Sequence, residues 1–197
     1  FCDESWPDGD VYQEKGWDRL SAVAMPLIQS ILDAHYPPGG TIVRAMAAKL
    51  KAGGRIVPHR DTLPSFCMGH RIHIPITTNS GVQFNIGGKP CRLEMGNVYE
   101  INNQCRHSVM NLGREDRINF IFDAVKASHQ QGSKAQIGVC CRIWETRLNP
   151  FCFRRLGPWN THAPRSVACG IGAQNWGFEP WDKAFVAIGS WVGECIQ

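Results

Sequence analysis

The stretch RIHIPITTNSGVQFNIGGKPCRL (71–93) contains three short β-like runs that are separated by turn residues. Apolar and polar residues alternate in residues 71–77, which is the pattern of a strand with one buried face. Residues 82–86 and 91–93 follow, and Gly87-Gly88 between them is typical of a tight hairpin turn. No helical segment separates these runs, so the pattern excludes a parallel sheet with helical crossovers.

Similar runs continue on both sides of this stretch. Residues 41–51 and 55–61 flank Gly53-Gly54, and three further runs cover 97–101, 107–112 and 117–124. So many short strands in so little sequence predict a mainly β sandwich or barrel.

A helix is predicted ahead of the strands. Apolar residues recur at helical spacing over residues 17–36, and Pro37-Pro38-Gly39-Gly40 ends the pattern. Pro26 lies inside it, so we expect a break or the start of a second helix at that position.

Composition limits the classes of partner. The net charge is +4, but residues 1–125 hold 13 basic and 13 acidic residues, and the surplus lies in residues 126–197. A neutral main domain offers no electrostatic footprint for nucleic acid. Nine cysteines without a CxxC pair predict free thiols in a reducing, cytoplasmic setting, and no apolar run is long enough to span a membrane. The chain begins with Phe1 and not with Met, which is expected of a fragment or a processed chain.

The last part of the chain has a different character. Residues 126–197 lose the alternation and hold five of the seven tryptophans. We therefore divide the chain into a barrel domain (1–125) and a C-terminal extension of unclear structure (126–197). A poorly ordered extension is the simpler interpretation, and a Trp-rich segment that binds a partner or forms a lid is the alternative.

Three residues form a candidate metal site. His59 and Asp61 lie two positions apart at the end of a strand, so their side chains point to the same face. His107 begins a later strand. Two histidines and one carboxylate are the facial triad of non-haem iron(II) oxygenases, which leaves three coordination positions open. The alternative is chance spacing in a surface turn.

Arg117 lies ten residues after His107 and starts the run RINFIFD (117–123). Its even-numbered residues are apolar, and Arg117 and Asn119 share the opposite face. A guanidinium inside a barrel needs an anion, and it can bind a carboxylate with two parallel hydrogen bonds. The alternative is an ion pair with Asp116 or Glu115.

Arg71 and His73 alternate with isoleucines in residues 71–76. If this polar face points inward, the barrel holds a polar cavity with a ligand. In the alternative arrangement, the isoleucines are buried and Arg71 and His73 lie in solvent.

Together these features resemble the aspartyl/asparaginyl β-hydroxylase family of iron(II)- and 2-oxoglutarate-dependent oxygenases. The motifs that carry the resemblance are PHRD (58–61), HRIHIPI (70–76), NVYEINN (97–103), RHSVMN (106–111) and RINFIFD (117–123). The resemblance implies a double-stranded β-helix, which is a jelly-roll or cupin-like barrel, and we expect the N-terminal helical segment to pack outside it.

The resemblance also implies the cofactors and their contacts. Fe(II) would be bound by His59, Asp61 and His107. Arg117 would bind the distal carboxylate of 2-oxoglutarate, with Arg71 and His73 helping to place this co-substrate. The best-known peptide-modifying members lack the acidic ligand, whereas Asp61 supplies one here.

The implied reaction is hydroxylation, with dioxygen, of a peptide or small-molecule substrate. An aspartyl or asparaginyl side chain and a free amino acid such as proline both fit. Two other classes stay open: a metal-dependent cupin-type enzyme, which would not need Arg117, and a non-catalytic ligand-binding barrel without metal.

Overall fold

The computed structural model describes residues 2, 6, 10–126 and 153–158. Within these residues, the chain forms two helices and nine strands. The helices are α1 (Lys15–His35) and α2 (Pro64–Met68). The strands are β1 (Thr41–Leu50), β2 (Arg55–His59), β3 (Gly69–Thr77), β4 (Val82–Ile86), β5 (Lys89–Cys91), β6 (Asn97–Ile101), β7 (His107–Asn111), β8 (Arg117–Val125) and β9 (Phe153–Pro158).

The strands form two antiparallel sheets. The five-stranded sheet has the order β1-β8-β3-β6-β9, and the four-stranded sheet has the order β2-β7-β4-β5. Consecutive strands alternate between the two sheets over much of the barrel, so the fold is a double-stranded β-helix, as predicted. The hairpin between β4 and β5 turns at Gly87 and Gly88, whose φ angles of 59° and 79° suit glycine.

Helix α1 packs on the outer face of the five-stranded sheet. Its buried residues include Leu20, Ala24, Leu27, Ile28 and Ile31, which join the isoleucines of β3 and the phenylalanines of β8 in one core cluster. The predicted helix position outside the barrel is therefore confirmed.

The prediction of a break at Pro26 is wrong, because α1 is continuous through this residue. A proline inside a helix costs about 3 kcal/mol. Each large apolar side chain that α1 buries contributes about 1.5–3 kcal/mol, so the packing outweighs the cost.

Strand register determines which side chains face the space between the sheets. Arg71 is paired with Ile101 on β6 and with Asp123 on β8, and residues directly opposite each other share a face. Ile101 belongs to the inner cluster, together with Phe84, Ile86, Tyr99 and Val109. The odd-numbered residues of β3 and β8 therefore face the interior, and the even-numbered ones face α1.

Most predicted strands are present within one or two residues of the expected bounds. Two short elements were not predicted, α2 and β9. Strand β9 lies in the C-terminal extension, where the sequence pattern assigned no element, and pairs with β6. The tryptophans of the extension and the expected disorder lie outside the described residues.

Four cysteines lie in the described residues and form no disulfide with one another: Cys2, Cys67, Cys91 and Cys105. The other five lie outside that part of the chain. In the segments that the structure describes, no helix has the length and apolar character needed to cross a membrane. The cytoplasmic location stays a prediction.

Candidate metal centre

The two histidines of the candidate triad lie opposite each other on neighbouring strands. His59 on β2 is paired with His107 on β7, and their ring centroids are 4.3 Å apart. In each ring Nδ1 lies within hydrogen-bond distance of a backbone carbonyl two residues earlier, that of Val57 (2.8 Å) and that of Cys105 (2.9 Å). A ring that donates through Nδ1–H leaves the lone pair of Nε2 available for a metal.

Burial supports the neutral form of His107. Loss of solvent lowers the pKa of this imidazole, and the hydrogen bond to the carbonyl of Cys105 and the charge of Asp61 offset this only in part. A neutral imidazole is the form that binds metals.

Asp61 presents one carboxylate oxygen to the histidines. Its Oδ1 lies 3.5 Å from Nε2 of His59. Its Oδ2 accepts hydrogen bonds from Nη1 of Arg71 and, at 3.2 Å, from Nδ2 of Asn103. The backbone of Asp61 is also bound by the β6–β7 loop, because its N–H donates to the carbonyl of Asn103 and its carbonyl accepts from Nε2 of Gln104.

The triad can therefore meet at one ion. One ligand atom from each of His59, Asp61 and His107 lies within 4.8 Å of the other two. Adjacent ligands of an octahedral ion with bonds of about 2.1 Å are about 3 Å apart, so binding one ion would require only small side-chain rotations. The structure thus brings together the three residues that the sequence singled out.

Arg71 is engaged by two carboxylates on the inner face. Its Nε and Nη2 donate to Oδ1 and Oδ2 of Asp123, each at 2.8 Å, while Nη1 donates to Oδ2 of Asp61. Burial alone would lower the pKa of Arg71, but the hydrogen bonds and charges of Asp123 and Asp61 outweigh it and raise the pKa. Arg71 faces inward, and the alternative that places it in solvent is wrong.

Arg117 has the opposite environment. The residue is 4% exposed, and its Nη2 has no hydrogen-bond partner among the described residues. Burial lowers its pKa to about 10, and within the described chain no acidic group offsets this. Asp116 instead binds Lys49 at 3.1 Å, so that suggested partner of Arg117 is excluded. The guanidinium lies 5.6 Å from the ring centroid of Phe84.

His73 is buried on the inner face of β3. Its Nδ1 is 2.7 Å from Nδ2 of Asn119, and its ring meets the ring of Phe84 edge-on at 5.8 Å. Burial, followed by the positive charges of Arg71, Arg117 and His107, lowers its pKa well below the usual value. An imidazole that accepts the hydrogen bond of the Asn119 amide through Nδ1 carries its proton on Nε2, and in its neutral form it can donate from there.

Asp123 belongs to this site but was not singled out from sequence, and the same is true of Asn103 and Phe84. Asp123 is 2% exposed and binds Arg71 with both oxygens. The alternation that placed Arg117 and Asn119 on one face also places Asp123 there. Its pairing with Arg71, however, depends on the register between β3 and β8, which sequence alone does not provide.

A second polar cluster lies on the outer face of the same sheet. Glu100 is 1% exposed and accepts hydrogen bonds from His70, Tyr36 and Arg154. Burial would raise the pKa of Glu100, but the hydrogen bonds and charges of His70 and Arg154 lower it. A cavity of about 340 Å³ opens beside His70 and Tyr36. This cluster joins β9 to α1 and is separated from the triad by the sheet.

Comparison with known families identifies one match. The sequence model of the family described as aspartyl/asparaginyl beta-hydroxylase matches residues 4–127. The match covers more than half of the chain and confirms the resemblance drawn from the motifs. Among curated proteins, none is significantly similar to this sequence.

Solved structures give only distant similarities. A point mutant of the salicylate 1,2-dioxygenase from Pseudoaminobacter salicylatoxidans has a TM-score of 0.34 at 20% identity, over 44% of this chain and 23% of that protein. YhaK from Escherichia coli has a TM-score of 0.39 at 10% identity, over 60% and 43% of the two chains. A cupin 2 conserved barrel domain protein from Salinispora arenicola has a TM-score of 0.33 at 12% identity, over 53% and 82%. The chain spans less than half of the first two proteins, and TM-scores of this size are too low to indicate a shared activity.

Proposed function

This chain belongs to the aspartyl/asparaginyl β-hydroxylase family, and we propose that it is a metal-dependent oxygenase that uses Fe(II) and 2-oxoglutarate. The observation that carries the proposal is Arg117, a buried guanidinium for which the described residues provide no anion. A lone buried cation is costly unless a ligand neutralises it. The distal carboxylate of 2-oxoglutarate is such a ligand.

The donor set fits the metal. Nε2 of His59, Oδ1 of Asp61 and Nε2 of His107 would hold a divalent ion with nitrogen and oxygen ligands, which suits Fe(II) and leaves three positions for co-substrate and dioxygen. When bound, Fe(II) with 2-oxoglutarate and dioxygen supplies hydroxylation of an unactivated C–H bond, with succinate and carbon dioxide as the other products.

The protein's own residues would bind and orient the co-substrate. Arg117 would neutralise one carboxylate with parallel hydrogen bonds. His73, kept neutral by burial and by its cationic neighbours, would donate a hydrogen bond through Nε2. The ring of Phe84 meets the His73 ring edge-on and lies 5.6 Å from the guanidinium of Arg117. It would therefore form an apolar wall that excludes water from the space between these two residues.

For the substrate, we propose an aspartyl or asparaginyl side chain, or a free amino acid such as proline. Family membership supports the first, and the complete triad with Asp61 separates this chain from the two-histidine members that modify peptides. Helix α2 and the β6–β7 loop flank Asp61 and would therefore contact the substrate.

The test is 2-oxoglutarate turnover by Fe(II)-loaded protein, followed as succinate release. Arg117→Met is expected to lower kcat/KM for 2-oxoglutarate by about 100-fold, because truncating one partner of a buried charged pair costs about 2–5 kcal/mol. Arg154→Met, which removes an arginine from the outer face of the same sheet, is the matched control and should retain the rate. Metal binding without any 2-oxoglutarate dependence would favour a cupin-type enzyme, and no Fe(II) binding under anaerobic conditions would favour a non-catalytic barrel.

A further inference from the structure

The guanidinium of Arg71 is divided between two carboxylates in a specific way. The edge formed by Nε and Nη2 is matched to both oxygens of Asp123 at 2.8 Å each. This is the bidentate geometry that an arginine and a carboxylate form most strongly. Only Nη1 is left to reach Asp61, and it binds Oδ2. Arg71 therefore gives the metal ligand a single hydrogen bond.

The free oxygen of Asp61 is the one that faces the histidines. Oδ1 lies 3.5 Å from Nε2 of His59, whereas Oδ2 is held by Arg71 and Asn103. An arginine whose bidentate edge were not occupied could bind both oxygens of Asp61. It would then compete directly with a divalent ion for Oδ1.

The position of Asp123 is itself tightly determined. It lies directly opposite Arg71 in the register of β3 and β8, and it is 2% exposed. Nη1 of Arg44 lies 3.7 Å from its Oδ2. The guanidinium carbons of Arg44 and Arg71 are 4.2 Å and 4.4 Å from the ring centroid of Phe66 in α2, which restricts both side chains.

From this geometry we infer that Asp123 is a positioning residue for the metal site. Asp123 occupies the bidentate edge of Arg71, which limits Arg71 to one oxygen of Asp61 and leaves the other oxygen for the ion. The inference rests on the proposed metal site, but it concerns metal affinity and not the reaction with 2-oxoglutarate.

The experiment is a titration with Mn²⁺ alone, followed by electron paramagnetic resonance of the free ion, with circular dichroism as the check of folding. Asp123→Asn keeps the shape of the side chain but provides only one acceptor oxygen for Arg71. It is expected to weaken Mn²⁺ binding about 10- to 100-fold, which is the range for residues that orient a metal ligand. Failure of the wild-type protein to bind Mn²⁺ would overturn the metal site itself, which distinguishes that outcome from failure of the present inference.

Two double variants separate the released guanidinium from a simple change of net charge. In Asp123→Asn with Arg71→Met, the guanidinium of Arg71 is no longer present to capture Asp61, so Mn²⁺ affinity should rise clearly above that of Asp123→Asn and approach that of wild type. Asp123→Asn with Arg44→Met restores the same net charge but leaves Arg71 free, so affinity should stay low. Equal recovery in both double variants would mean that Asp123 acts only through its charge and would overturn the inference.

The matched single control is Glu100→Gln. Glu100 is as buried as Asp123 and also binds an arginine, but on the outer face of the sheet. Its Mn²⁺ affinity should equal that of wild type, and a loss as large as that of Asp123→Asn would contradict a specific role for Asp123. If Asp123→Asn does not fold, the double variant Asp123→Asn with Arg71→Met, which has the net charge of wild type, still tests the inference. Affinity near wild type supports the inference, and a loss as large as that of Asp61→Ala overturns it.

Discussion

Arg71, which is mostly buried, and Arg117, which is fully buried, both lie on the inner side of the five-stranded sheet, but their surroundings are opposite. Arg71 donates to two carboxylates, and their charges raise its pKa. Arg117 contacts no carboxylate in the described part of the chain, and burial lowers its pKa to about 10. Arginine thus has acidic hydrogen-bond partners at position 71, whereas at position 117 the described residues provide none.

This difference distinguishes an arginine with a structural role from an arginine that is available to bind a ligand. A paired buried arginine stabilises the local structure, and removing it leaves acids without a partner. An unpaired buried arginine costs free energy in the absence of ligand, and that cost is relieved when an anion binds. We therefore propose that Arg71 orients Asp61, the proposed metal ligand, and that Arg117 binds the proposed co-substrate.

The largest expected contrast is in stability. Arg71→Met leaves the partly buried Asp61 without its cation and leaves Asp123 with only the 3.7 Å contact to Arg44, so it should lower the free energy of unfolding by about 3–5 kcal/mol. Arg117→Met removes a buried cation that has no acidic partner in the described part of the chain, and it should raise the free energy of unfolding by about 1–3 kcal/mol. Urea denaturation of metal-free protein at pH 7.5 measures both. An Arg117→Met protein as destabilised as Arg71→Met would show that Arg117 has a structural partner after all.

The second contrast is in stabilisation by ligand. With Mn²⁺ bound and dioxygen absent, 2-oxoglutarate at about 100 times its Kd should raise the free energy of unfolding of wild type by about 2.7 kcal/mol. Arg117→Met should lose most of this increase at the same concentration, because the distal carboxylate loses its partner. The measurement is the shift of the thermal or urea midpoint on adding ligand.

Pyruvate provides the control for this comparison, because it has the oxo-acid group of 2-oxoglutarate but no distal carboxylate. Its smaller effect should be the same in wild type and Arg117→Met. A variant that loses the pyruvate effect as well would place Arg117 at the metal end of the co-substrate, contrary to the proposal.

Sequence predicted the barrel well because alternation is a local property. Residues two positions apart in a strand share a face, so sequence alone predicts which residues of β3 and β8 lie together and that His59 and Asp61 point the same way. Elements that depend on distant partners were missed. Strand β9 has two arginines, a glycine and a proline in six residues and exists by pairing with β6. Pro26 was misjudged because the packing that keeps α1 intact lies outside the helix.

The candidate site shows the same division. That His59, Asp61 and His107 lie close together and that Arg117 is buried could be predicted from residue type and spacing. The engagement of Arg71 by Asp123 could not, because a shift in register between β3 and β8 would pair Arg71 with another residue. That Arg117 has no acidic partner among the described residues is likewise a property of the folded chain: Asp116, its neighbour in sequence, binds Lys49 and the backbone N–H of Ala52 instead.

The smallest expected effect is on the pH dependence of stability. It tests whether His73, which lies near both arginines, is neutral in the folded protein. Burial and the charges of Arg71, Arg117 and His107 hold the pKa of His73 well below the usual value of 6.5. In the unfolded chain the imidazole binds a proton below about pH 6.5, whereas in the folded protein it does not. The unfolded state therefore binds more protons at low pH, and the stability that is present above pH 6.5 is lost as pH falls from there towards the folded pKa.

His73→Gln should remove this part of the pH dependence. The mutant should lose about 1 kcal/mol less stability than wild type between pH 7.5 and pH 5.5, as measured by urea denaturation without metal. His107 also has a lowered pKa, so both proteins retain a common loss in this range, and the difference between them reports on His73. Parallel pH profiles would mean that His73 is protonated inside the barrel. In that case a third cation would lie between Arg71 and Arg117, and the contrast between a paired and an unpaired arginine would have to include it.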